Sequence, residues 1–261
     1  MNTKILSFTN NKGGSGKTTT CSNVAYCLKE RGSKVLVIDG DMQMNLSLSF
    51  FDEEKVLAFA QEEQNIYRAL LEEEDLTSYI KHTDDENIDI VVSTTLMSSI
   101  EMDLFSKWQR EFVFRKCLKK IKKKAEYDFI LIDSPPTLGC WVMNILCASD
   151  YVIMPVEASP WGLFGLANMF DFLDKVNEIA PDVSLLGILV TKVDERKNYY
   201  KQTMETLHSY ENLPVFDTVI HTDSAIEWAQ DASSTVVNFK RSSRSAKEYL
   251  KLAKEVDGKC Q

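Results

Sequence analysis

Short apolar runs rich in β-branched residues recur along the chain at Lys4 to Phe8, Lys34 to Ile38, Ile88 to Val92, Tyr127 to Ile132, Tyr151 to Pro155 and Ser184 to Val190. They are continuous rather than alternating, which is the pattern a strand needs when both faces of its sheet are covered. Between them apolar positions fall at helical spacing, as in Thr18 to Arg31, stopped by Gly32, and Leu163 to Ile179, stopped ahead of Pro181. Strand and helix alternate, which predicts an α/β fold: a doubly wound, mostly parallel sheet with helices on both faces. No internal repeat and no Gly/Ser linker divides the 261 residues, so one domain spanning 1–261 is expected.

Composition narrows the function classes. Hydrophobic residues make up 44% and charged residues 26%, enough apolar material for a sizeable core. A net charge of -9 and a pI near 5.0 exclude a surface that is basic throughout, so any nucleic-acid contact must come from a local patch. The first nine residues lack the build of a signal peptide and no stretch reaches membrane-spanning length, so a cytoplasmic protein is expected. The six cysteines form no Cys-x-x-Cys pair and the three histidines lie far apart, which points to reduced thiols rather than a zinc site or disulfides. Two charge blocks stand out: acids between Asp52 and Glu86, and Lys116, Lys119, Lys120, Lys122, Lys123 and Lys124 on one predicted helix. Solvated helix faces are the plain reading of both.

The chemistry concentrates in Asn10-Asn11-Lys12-Gly13-Gly14-Ser15-Gly16-Lys17-Thr18-Thr19, between a predicted strand and a predicted helix. Glycines let a loop turn its N–H groups inward around phosphate oxygens, and the helix N-terminus that follows favours the same negative charge. In such a loop Lys17 reaches the β- and γ-phosphates and the Thr18 hydroxyl is placed for Mg²⁺. The strict pattern asks for glycine five residues before Gly16, with four residues between; here that position is Asn11.

Lys12-Gly13-Gly14-Ser15-Gly16-Lys17-Thr18 resembles the deviant phosphate loop of the ParA/MinD family of P-loop ATPases, whose second, signature lysine sits five residues before the usual one. Asp39-Gly40-Asp41-Met42-Gln43 is similar to that family's switch segment, and Phe129 to Pro136 to its Asp-ended strand and Pro-containing turn. Lys247 to Val256 is similar to the terminal helix of ParA-type plasmid and chromosome partition ATPases, so the resemblance runs from Lys4 to Val256. It implies ATP and Mg²⁺ as cofactors and a homodimer formed on ATP, in which Lys12 reaches the partner's nucleotide. Asp41 is then expected to orient the attacking water, Asp39 to support the magnesium shell, and Asp133 to hold Mg²⁺ through a water. Where the family has Pro after its second switch Asp, this chain has Met42, and a more mobile switch loop is expected.

Thr191-Lys192-Val193-Asp194 ends a predicted strand where a base would lie. It is similar to the guanine motif of signal-recognition-particle GTPases, but ParA-type ATPases carry Thr-x-x-Asp there too, and ATP is the expected nucleotide. Cys140, seven residues after Asp133, resembles one cluster ligand of nitrogenase iron proteins; the second ligand's segment has no counterpart, so a plain buried or interface thiol is expected.

Near the end Lys240 and Arg241 precede Arg244, Lys247, Lys251 and Lys254, spaced to share one helix face opposite Tyr249, Leu252, Ala253 and Val256. The resemblance implies that this face, doubled in an ATP dimer, contacts DNA phosphates without reading bases. A plain amphipathic helix with a solvated lysine face is the alternative. A MinD-like ATPase working on a membrane or protein partner without DNA is the rival function, weakened because only five residues follow Val256 and the helix before them is needed for packing. A small-molecule kinase or ligase on the same scaffold is a third. With the first strand starting near Lys4, no N-terminal DNA-reading domain is expected. The sequence thus predicts a slow, partner-stimulated ATPase of plasmid or chromosome partition, with a ParB-like centromere-binding activator, non-specific DNA and no membrane as partners.

Overall fold

A computed structural model describes residues 3–260. Seven strands, β1 (Lys4–Phe8), β2 (Val35–Asp39), β3 (Lys81–His82), β4 (Ile88–Val91), β5 (Phe129–Asp133), β6 (Tyr151–Glu157) and β7 (Ser184–Thr191), form one sheet in the order β3-β4-β2-β5-β1-β6-β7. Every pairing is parallel except β3 with β4. β1 lies between β5 and β6, so the chain leaves β1 in one direction for β2 and later returns past it to β6. Such reversals open a crevice at the carboxyl ends of the strands. In register Phe8 pairs with Asp133 and Asp39 with Asp133, so the ends of β1, β2 and β5 deliver the phosphate loop and two carboxylates to one edge.

Among the described residues eleven helices cover the sheet: α1 (Lys17–Glu30), α2 (Glu53–Gln61), α3 (Ile66–Glu72), α4 (Ile100–Phe105), α5 (Val113–Lys124), α6 (Cys140–Ala148), α7 (Leu166–Ile179), α8 (Asn198–Ser209), α9 (Ser224–Asp231), α10 (Val236–Phe239) and α11 (Arg244–Lys259). Alternate residues of the strands serve opposite faces. Leu6, Phe8, Val35, Val37, Ile90 and Leu131 share a core with α1, α10 and α11, while Ile5, Leu36, Ile38, Ile130 and Ile132 pack against α3, α5 and α6. Burial on both sides explains why the strands read as continuous apolar runs. No helix among the described residues is long and apolar enough to cross a membrane.

The predicted strands sit within two residues of the observed ones. β3 left no periodic signal, being two residues long. The helix expected from Leu163 begins at Leu166 because Gly165, at φ 96°, takes a left-handed turn close against the Asn11 amide. The last helix runs further than its lysine pattern indicated, to Lys259, because buried Cys260 follows Val256 at helical spacing and bonds back to its carbonyl.

Candidate active site

The loop after β1 is tied to its neighbours before any ligand is considered. The Asn10 amide donates to the Pro155 carbonyl (2.7 Å) and its oxygen accepts from the Lys12 N–H (2.9 Å). The Thr191 hydroxyl donates to the Ser15 carbonyl (2.8 Å), and Lys17 Nζ reaches back over the loop to the Lys12 carbonyl (3.3 Å). Lys192 extends over the same loop, its ammonium close to Gly14. Thus Gly13, Gly14, Ser15, Gly16, Lys17, Thr18, Thr19, Thr191 and Lys192 line a single cleft of about 730 Å³, while Asn11 turns away to meet Gly165. Burial lowers the Lys17 pKa, against the pull of Asp133 and Asp41 that keeps its charge favoured.

The three acids named from the sequence do converge, but they do different work. Asp133 is fully buried; its Oδ2 accepts from the Thr18 hydroxyl (2.6 Å) and its Oδ1 has no hydrogen-bond partner in the protein. Burial and the neighbouring Asp39 raise its pKa well above the carboxylate range, partly offset by Thr18 and Lys17. A buried carboxylate with a spare oxygen beside a threonine hydroxyl suits a magnesium shell completed by phosphate oxygens and water. Among the described residues no three His, Cys, Asp or Glu side chains close on a metal by themselves.

Asp39 departs from its expected role. Both its oxygens are taken up within the chain: Oδ1 by the Asp41 N–H (3.1 Å), Oδ2 by the Ser47 N–H (2.8 Å) and hydroxyl (2.7 Å). It organises the switch loop first, and burial pushes its pKa up to about 6 despite these bonds. Ser47 is the residue the sequence pattern does not reveal; eight positions away, it carries no motif. Gly40 between the acids is required by crowding, since a Cβ there would lie 2.6 Å from the Asp133 carbonyl. Asp41 faces the cleft and accepts from the Gln43 N–H (3.1 Å), with Met42 exposed beside it. The switch loop, expected to be mobile for want of proline, is therefore held through Asp39 and Ser47.

An AAA domain family matches residues 3–185. The chain is 35% identical over 254 residues to the sporulation initiation inhibitor protein Soj of Bacillus subtilis, covering 97% of this chain and 98% of that one. The chain belongs to the ParA/MinD family of P-loop ATPases. A plasmid partition protein from Borrelia burgdorferi bound to AMPPNP superposes with a TM-score of 0.81 at 25% identity, covering 99% of this chain and 100% of that chain. Cobyrinic acid a,c-diamide synthase from Mycobacterium smegmatis, with bound ATP analogue and magnesium, gives 0.82 at 27% identity over 97% and 93% of the chains.

For a ParA/MinD ATPase the placement of Lys12 is informative. Its ammonium does not point into its own phosphate cleft but is held by Glu157 Oε2 (2.8 Å) and the Ser159 hydroxyl (3.2 Å), half-buried at the mouth. Glu157 and Ser159 carried no motif signal in the sequence. Asp194, the residue resembling a guanine acceptor, is clamped by the Arg196 guanidinium with two 2.8 Å bonds and does not line the cleft. Ile220, His221, Thr222, Asp223, Ile226 and Gln230 line the cleft instead, the last donating to the Thr19 hydroxyl (3.1 Å).

The family's terminal helix shows the predicted two faces, with Tyr249, Leu252, Ala253 and Val256 buried and Lys247, Lys251 and Lys254 exposed. Two of the five candidate DNA-binding residues are not free, however. Arg241 pairs with Glu30, and Arg244 pairs with both Glu195 and Glu248 (2.9 Å each). Lys240 lies over the Trp228 ring. The charge blocks, expected to be solvated faces, partly meet: Lys107 and Lys116 approach Glu73 and Lys120 approaches Asp75.

Proposed function

We propose that this chain is a magnesium-dependent, slow, partner-stimulated ATPase of plasmid or chromosome partition that dimerises on ATP and binds DNA non-specifically in that state. The observation that carries the reading is Lys12: a second lysine at the phosphate loop, parked on Glu157 and Ser159 rather than on its own site, is available to a nucleotide held by another subunit. Phosphoryl transfer is accelerated by positioning and charge rather than covalent chemistry, so a lysine delivered by dimerisation makes hydrolysis depend on assembly. Lys17 binds the phosphates, and Thr18 and Asp133 hold the magnesium ion, which when bound neutralises phosphate charge. Asp41 orients the attacking water, and Asp39 fixes the loop that carries Asp41.

ATP rather than GTP is favoured because Asp194, the acid that resembles a guanine acceptor, is spent on Arg196. The Borrelia burgdorferi neighbour is named a plasmid partition protein, which supports the partition role, with a centromere-binding activator as the partner. The DNA surface is the exposed lysine face of α11 with Lys240, placed on both protomers, and the working site is the nucleoid surface in the cytoplasm. One domain spanning 1–261 suffices for all of this.

The test is binding of the Asp41→Ala variant to random-sequence duplex DNA with ATP, with ADP and without nucleotide, at two salt concentrations. Tight, salt-sensitive binding with ATP alone is expected. An ATP-dependent dimer that binds no DNA in any state would sink the DNA role and favour a MinD-like output on lipid or protein.

A further inference from the structure

A second cavity, of about 790 Å³, lies at the opposite end of the sheet from the phosphate cleft, where β1, β6 and β7 begin. Its floor is apolar: Ile5, Leu118, Cys147, Ala148, Ala180 and Val183 line it, all nearly inaccessible to bulk solvent. Polar groups on the floor are spoken for. The Ser149 hydroxyl donates to the Ile145 carbonyl (2.8 Å), and Asp150 accepts from the Ile5 N–H (2.9 Å) and from Lys122 (2.7 Å). Burial pushes the Cys147 thiol up to about 12, leaving it neutral.

The rim has the opposite character. Arg115, Lys116, Lys119, Lys122 and Lys123 project along it from α5. Lys122 is neutralised by Asp150 and Lys116 approaches Glu73 at 3.9 Å, but Arg115, Lys119 and Lys123 make no ion pair among the described residues. Asp182 adds one acid to the rim, so the mouth stays net positive on a chain whose overall charge is -9.

We propose that this cavity binds an unbranched acyl or alkyl chain carrying a single anionic head, the chain lying on the apolar floor and the head paired with Arg115, Lys119 and Lys123. The size falls within the range of small-molecule sites. A nucleotide or sugar fits poorly, because a base or hydroxyls would find no open hydrogen-bond partner on this floor and would be desolvated without return. A plain hydrocarbon asks for none. Arg115 and Lys119 lie ahead of the last turn of α5, whose cations serve the helix dipole, and with Lys123 of that turn they give the head its partners.

The probe is decanoate, titrated calorimetrically and by methyl-labelled NMR against the full chain. One saturable site is expected, with shifts concentrated at Ile5, Leu118 and Val183. Octanoate, two methylenes shorter, is expected to bind about fifteenfold more weakly, since each fully buried methylene is worth about fourfold. Decanol tests the head, and the Lys119→Glu/Lys123→Glu variant, both positions exposed and outside the ATPase machinery, is expected to bind decanoate about tenfold more weakly with hydrolysis unchanged. Retention on phosphatidylglycerol vesicles, lost in the same variant and competed by decanoate, assigns the head and tail to a membrane lipid; saturable decanoate binding without retention assigns them to a free acid. Absence of saturable binding, or equal affinity in the charge-reversed variant, overturns the site.

Discussion

The phosphate cleft and the face of α11 are both rich in charge, yet they are prepared in opposite ways. At the cleft, polar atoms are buried without hydrogen-bond partners, among them Asp133 Oδ1 and the Ser15 hydroxyl. At α11 and in the turn before it the arginines are already satisfied within the chain, Arg244 by Glu195 and Glu248 and Arg241 by Glu30. Unpaired buried groups are costly, so the cleft is built to gain from a ligand. Paired surface ions give up little when exchanged, so the helix face is built to trade partners. A site of the first kind sets whether a ligand binds; one of the second kind sets how readily an output is released.

The largest effect should come from the cleft. Lys17→Ala removes the ammonium that Asp133 and Asp41 keep charged against burial, and ATP hydrolysis is expected to fall on the order of 10²–10³-fold. Because desolvating that lysine costs the fold something, thermal stability should not drop with activity. Phosphate release and a melting curve on the same sample check both halves. Retained hydrolysis would mean that the loop's backbone suffices and would erase the contrast.

On the output side, Lys247→Ala/Lys251→Ala tests whether the exposed lysines alone carry DNA binding. Each lysine that no longer neutralises a phosphate should lower the slope of log affinity against log salt by about 0.9, so about 3.6 for the pair on both protomers of the dimer. Affinity measured across a salt series in the ATP state reports this, while nucleotide binding should not change. A slope that stays put moves the DNA surface off α11.

How much of this could be read from residues alone divides along the same line. Strand positions were legible because burial on both faces leaves an unbroken apolar run, and the phosphate loop because its chemistry needs glycines and a lysine at fixed spacing. Asp39, Asp41 and Asp133 were visible as acids ending strands, and register brings Asp39 and Asp133 side by side. What stayed hidden was partner choice. That Asp39 would spend its oxygens on Ser47, that Lys12 would rest on Glu157, or that Arg244 would be held by Glu195 depends on segments 8, 145 and 49 positions apart coming together. No local pattern encodes such pairings. The Lys116–Lys124 run was likewise legible as a basic face but not as the rim of a cavity, since the floor comes from β1, α6, α7 and the turn before β7.

The segment joining cleft to helix offers a smaller, pH-dependent test. Asp223 lines the cleft, caps α9 through the Ala225 N–H (3.0 Å) and accepts from the Ser245 N–H (3.1 Å) and hydroxyl (2.8 Å) at the start of α11. Burial alone would raise its pKa, but the bonds from Ala225 and Ser245 outweigh it and the net shift is downward. A depressed carboxylate stabilises the fold above its unfolded pKa, near ~3.9, and loses that contribution as pH falls through the lower folded value. Asp223→Ala is therefore expected to cost about 1 kcal/mol at pH 7, with the difference from wild type closing as denaturation is repeated below about pH 4. A difference that persists in acid would show that shape, not charge, ties the cleft to α11.

The smallest expected effect probes the latch itself. Buried His221 faces Glu248 through Nδ1 (2.7 Å) and meets both Arg244 Nη2 (2.6 Å) and Glu195 (2.9 Å) at Nε2. Glu195 meets Arg244 at an exposed position where the pair is cheap to break. If Arg244 must leave Glu195 to meet a phosphate, Glu195→Gln should raise DNA affinity in the ATP state about two- to fourfold, and Arg244→Gln added to it should abolish the gain. Should Glu195→Gln leave affinity untouched while the lysine pair still weakens it, the arginine is a structural clamp on α11, and the DNA face consists of the lysines alone.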